Sequence, residues 1–182
     1  MIKQAIISFG LGSIFYFASC KEKLTPVEYN DKIVNEQVKI AKLMFDIPAT
    51  INDPETTEIT INKAIAQADS SIENLEKLGG YKGDNTFQQA AINLFKFYKE
   101  ICQKDFREMF SLINQMKTQT EPDSQAVVNR IQEISQNIAE KEKSFDESFA
   151  NAQKSFAEKY QLKLDEQSFQ KKLEELTHKN SE

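Results

Sequence analysis

At 182 residues, with 40% apolar and 28% charged residues, the chain has the size and composition of one globular domain plus a targeting segment. A net charge of −5 without a basic stripe excludes the electrostatics that nucleic-acid binding needs, so no such partner is expected. Two cysteines, Cys20 and Cys102, make no disulfide framework, and 5 Gly with 4 Pro leave few breaks for a many-stranded β fold.

The first twenty residues, MIKQAIISFGLGSIFYFASC, are laid out as a secretory signal: Lys3 as the only charge, an apolar run from Ala5 to Ala18, then small residues before Cys20. The uncharged stretch only just reaches the roughly 17 residues needed to span a bilayer, and Gly10 and Gly12 weaken it as a permanent span. The alternative is an uncleaved N-terminal helix with an incidental cysteine. Either reading attaches the protein to a membrane. Removal of residues 1–19 takes Lys3 away and makes the charge one unit more negative.

Phe17-Ala18-Ser19-Cys20 resembles the lipobox of bacterial lipoproteins, cut between Ser19 and Cys20. Phe17 replaces the Leu favoured by that pattern. The resemblance implies a thioether-linked diacylglycerol on Cys20 and an acylated amine, and two or more chains anchor stably. Lys21, where an Asp would favour inner-membrane retention, points to the outer membrane. Lys21-Glu22 also resembles the export tag of Bacteroidetes surface lipoproteins, although Lys23 stands where that tag usually has a second acid. Residues 20–25 are then a lipidated tether to a helical domain over 26–176, with a polar, disordered tail over 177–182.

Four long helical stretches are predicted. Thr25-Pro26-Val27-Glu28 opens the first with a capping box and a proline at its first position. Val27, Val34, Val38, Ala41 and Phe45 share one face, with Ile33, Ile40 and Met44 beside them, and Ile47-Pro48 should end the helix. Asn52-Asp53-Pro54 starts the second, whose seam is Ile61, Ile65, Ala68, Ile72 and Leu75; Gly79-Gly80 stops it.

The third is predicted from Asp84 or Asn85 to Thr118, with Phe87, Ala91, Leu94, Phe95, Tyr98, Cys102, Met109, Phe110 and Ile113 inward. A turn over Thr120–Ser124 leads to a fourth helix ending near Tyr160, with Val127, Ile131, Ile134, Ile138, Phe145, Phe149, Ala152 and Phe156 on one side. Asp165 can cap a short last helix carrying Phe169, Leu173 and Leu176. The expected fold is all-α: an antiparallel four-helix bundle, coiled-coil-like in its seams, with two long C-terminal helices and a short extra helix. The long pair should project beyond the first pair, or bend.

Candidate chemistry is sparse. A di-iron bundle needs two Glu-x-x-His pairs; only Glu175 and His178 have that spacing, and His178 is the only histidine. No metal or cofactor is expected. Cys102 has no histidine base nearby and reads as a small core residue. Glu140, Glu142, Glu174 and Glu175 are interleaved with Lys141, Lys143, Lys171 and Lys172, which reads as solvated helix face. Gly79-Gly80-Tyr81-Lys82-Gly83 lacks the ending of a phosphate loop. The phenylalanines read first as core, with a small apolar cavity where the helices diverge as the alternative. Phe97 and Phe106 fall off the main stripe and would mark a contact patch if exposed together.

Tyr29-Asn30-Asp31-Lys32-Ile33-Val34 resembles a segment of an uncharacterised Bacteroidetes surface-lipoprotein family, which implies a helical lipoprotein and supplies no site residues. The reading is a membrane-tethered, non-enzymatic binding or interaction module for a protein or small apolar ligand. An envelope scaffold or spacer is the alternative, and an enzyme a distant third.

Overall fold

The protein is described by a computed structural model that covers residues 24–118 and 124–164, together with Lys171. The signal segment, Ser19 and Cys20, the loop 119–123, the expected last helix with Asp165, Phe169, Leu173 and Leu176, His178 and the tail lie outside the described residues.

Among the described residues five helices are formed: α1 (Pro26–Thr50), α2 (Pro54–Leu78), α3 (Thr86–Gln103), α4 (Asp105–Thr118) and α5 (Ser124–Lys159). No strand occurs among the described residues; Tyr81 and Asp84 form one isolated bridge. The architecture is an all-α bundle with short reversals between neighbours.

Local chemistry sets the helix starts. Thr25 Oγ1 accepts from the Glu28 N–H at 3.2 Å, and Glu28 Oε2 accepts from the Thr25 N–H at 2.8 Å. This reciprocal box satisfies two donors that a helix start otherwise leaves bare. Asp53 caps α2 by accepting from the Glu55 and Thr56 N–H groups, with Pro54 following at the first position. At the end of α2, Gly79 takes φ +71°, where a side chain is strained. A Cβ on Gly80 would sit 2.8 Å from the Asp84 carbonyl oxygen, so the tight Gly80–Asp84 turn requires glycine there.

Packing follows the amphipathic faces. α2 lies against both α1 and α3, and α5 lies against α3 and α4. Ile33, Ile40, Ala91, Leu94 and Phe95 are fully buried in the main core; Ile47, Ile61, Ala64 and Cys102 form a smaller cluster. Each such Leu, Ile or Phe contributes roughly 1.5–3 kcal/mol relative to exposure. Aromatic side chains cross-link the α3/α5 seam and the α1 N-terminus: Phe97 stacks on Phe145 at 4.8 Å, and Phe156 touches Tyr29, Tyr81, Phe87 and Tyr160.

Several expectations are corrected. The third helix is not continuous: Lys104, at φ −117° and ψ −69°, separates α3 from α4. α1 does not stop at Ile47-Pro48 but runs on to Thr50, because only the final turn follows Pro48 and Thr50 Oγ1 donates to the Ile47 carbonyl at 2.8 Å. Val27 and Phe45 share the core stripe in sequence, yet are 55% and 65% exposed. Phe97 is buried and Phe106 half-buried, so they form no joint exposed patch.

Candidate functional site

α1 and α5 touch near one end, where the Gln153 amide donates to Asn30 Oδ1 at 2.9 Å and Tyr29 meets Phe156 at 5.3 Å. Beyond that point both helices rest on α3 rather than on each other. The gap between them is a half-open cleft of about 480 Å³. Its floor is Tyr98 and Ile101 of α3 with Phe106 of α4. One wall carries Gln37, Ala41, Met44 and Phe45 of α1; the other carries Ile138, Glu142, Asp146, Phe149, Ala150 and Gln153 of α5.

The cleft is apolar with one charged edge. Glu142 and Asp146 are four residues apart on α5 and so share a face. Tyr98, nearly buried beneath them, donates its hydroxyl to Asp146 Oδ1 in a long contact of 3.4 Å. Partial loss of water raises the pKa of both carboxyls, and Asp146 raises Glu142 further, while the Tyr98 hydroxyl opposes the shift at Asp146. Burial first, then the two carboxylates, pushes the Tyr98 hydroxyl up as well. Among the described residues no Lys or Arg lines the cleft.

Glu142 is therefore not the fully solvated side chain that its Lys-rich neighbourhood suggested. Glu140, Lys141 and Lys143 are exposed, as that reading requires. The apolar neighbours Phe145 and Phe149 bring the Glu142/Asp146 edge inward. A usable signal was present in the sequence: like charges at this spacing destabilise an isolated helix, so the pair needed another explanation. Gln37 and Gln153 carried no such signal.

Cys102 is where the sequence placed it, buried in the smaller core cluster. Burial pushes its thiol up to about 12, only slightly opposed by Arg107, so it is not a thiolate at neutral pH. A second hollow of about 500 Å³ between α3 and α5 is shallower; small and polar side chains such as Asn93, Ser148 and Ser155 line it. Among the described residues no three His, Cys, Asp or Glu are grouped to hold a metal, and no helix is long and apolar enough to cross a membrane.

No family model, curated protein or solved structure matches this chain significantly. The geometry of the cleft and the pattern of the N-terminus therefore carry the functional reading.

Proposed function

We propose that this protein is a membrane-tethered, non-enzymatic binding module. A lipid on Cys20, after cleavage behind Ser19, holds it at the outer membrane, with the α1/α5 cleft as the ligand site. The anchor rests on the sequence layout from Lys3 to Cys20. The observation that supports binding is the cleft itself. Its volume of about 480 Å³ lies within the roughly 300–1,000 Å³ of small-molecule pockets, and it has the usual character of an apolar lining with a few convergent polar groups.

Three measurements test the reading. The intact mass of membrane-extracted protein is expected to show a chain beginning at Cys20 with added acyl chains. Cys20→Ser is expected to abolish processing and release the protein from the membrane; unchanged processing and partitioning would remove the anchor. For the cleft, Ile138→Trp is expected to abolish uptake of a neutral apolar dye such as Nile red. Equal uptake by the variant would remove the site.

The 36-residue α5 favours a second reading, an envelope spacer, because at about 1.5 Å per residue it extends about 54 Å. Unchanged envelope morphology after deletion of the protein would dismiss that role.

A further inference from the structure

We infer that the α1/α5 cleft selects an amphiphilic organic cation: a small molecule with an amine or ammonium head and an apolar body. The inference deepens the binding reading above and rests on the cleft being a ligand site. Three observations converge on the head group. Glu142 and Asp146 present two carboxylates to one rim of the cleft, and among the described residues no Lys or Arg lines it to neutralise them. Phe106, Phe149 and Tyr98 turn aromatic surface toward the same space, and ring faces attract cations as well as apolar matter. Gln37 and Gln153 add neutral polar groups at the walls, which can accept from an ammonium N–H.

The body of the ligand follows from the remainder of the lining. Ala41, Met44, Ile101 and Ile138 offer nothing to a polar chain but bury an aliphatic or aromatic one. Phe45, 65% exposed at the lip, is a large apolar side chain that the fold leaves uncovered and a bound apolar body would cover. An anionic amphiphile of the same shape would bring a third negative charge to the pair. A neutral one would gain only the apolar contacts. The expected order is cation, then neutral molecule, then anion, with the first step at least about tenfold, the scale of one close charge pair near a protein surface.

The test uses the full chain carrying Cys20→Ser and three water-soluble probes of one shape: 4-phenylbutylamine, 4-phenylbutanol and 4-phenylbutyrate. Methyl NMR reads binding at Met44, Ile101 and Ile138. The amine is expected to shift these methyls with a Kd at least about tenfold below that of the alcohol, with the carboxylate weakest. In Glu142→Gln/Asp146→Asn the amine and alcohol are expected to converge within about twofold while the alcohol keeps its affinity. Unchanged α2 methyl signals at Ile61 and Leu75 verify that the variant is folded. Equal binding of the three probes would overturn the cation inference and leave the cleft standing. No shift with any probe, or a dimer that buries these methyls, would overturn both the inference and the binding reading beneath it.

Discussion

Cys102 Sγ lies 3.4 Å from Met44 Sδ, joining α3 to α1 through two sulfur atoms directly behind the cleft. Burial holds the thiol near 12, so it is protonated and shielded together. In the native protein a maleimide at pH 8 is expected to leave Cys102 unlabelled for hours, while labelling in denaturant is complete. Rapid native labelling would contradict the packing.

Glu36 sits between α1 and α2 at only 9% exposure, accepting from Ser71 Oγ at 2.7 Å, Lys39 Nζ at 2.7 Å and Asn74 Nδ2 at 3.3 Å. Ser71→Ala removes the buried donor and leaves the carboxylate under-satisfied. A loss of about 1–3 kcal/mol in urea unfolding is expected. Ser71→Ala in a Glu36→Gln background should cost less, because the acceptor left behind is then neutral.

Phe97 and Phe145 are stacked with an interplanar angle of 17°. Phe97→Ala deletes a buried ring and one half of that contact, at about 3–5 kcal/mol. Chemical denaturation should show this as a lower midpoint with an unchanged slope. A loss below about 1 kcal/mol would mean that α3 and α5 do not pack as described.

The carboxyls of the cleft and of the turn should respond to pH with opposite signs. Glu142 has its folded pKa raised above the ordinary 4.5, so the ionised form weakens the fold and protonation on acidification relieves the penalty. Glu142→Gln is therefore expected to raise Tm by about 1–3 °C at pH 7, with the two proteins converging near pH 3.

Asp84 behaves the other way. It accepts from Lys159 Nζ at 2.7 Å and from the Thr86 N–H at 3.0 Å, which hold its carboxyl well below the usual carboxylate range. Its contribution is present above the unfolded value near 3.8 and is lost as pH falls toward the folded one. Asp84→Asn should lower Tm at pH 7 and flatten the fall in Tm below pH 4. The Lys159 ammonium is raised by the same pair, so its share is lost only as pH climbs past its folded value, above the ordinary 10.5.

What the sequence disclosed, and what it concealed, divides by range of interaction. Thr25, Glu28, Asp53, Pro54 and Gly79 act within one turn of themselves, and their spacing announced the helix limits before any packing was known. Lys104 did not announce the break after α3, since neither glycine nor proline stands there and the Lys104 N–H still donates to the Glu100 carbonyl at 3.0 Å. The break answers to what α3 and α4 pack against. Val27 and Phe45 had the right spacing for the core and yet stand exposed. The cleft was legible only as a possibility, because periodicity tells which face of α1 is apolar but not whether α5 reaches it. Glu142 shows the same limit: its neighbours in the chain are lysines, while its neighbours in space are aromatic.

Either side of the break at Lys104 the molecule differs in character. At one pole, Tyr29, Tyr81, Phe87 and Phe156 interlock by ring contact, with the Lys159–Asp84 pair beside them. At the other, α4 has no fully buried side chain among its described ones; it is pinned by Arg107 to Glu58 of α2, by Glu108 to Arg130 of α5, and by Lys117 to the Ile51–Asn52 turn. Exposed ion pairs of this kind fade as ionic strength rises, whereas apolar contact does not. Salt thus acts on this bundle unevenly, loosening the α4 hairpin most, while at the aromatic pole it reaches the Lys159–Asp84 pair but not the ring contacts.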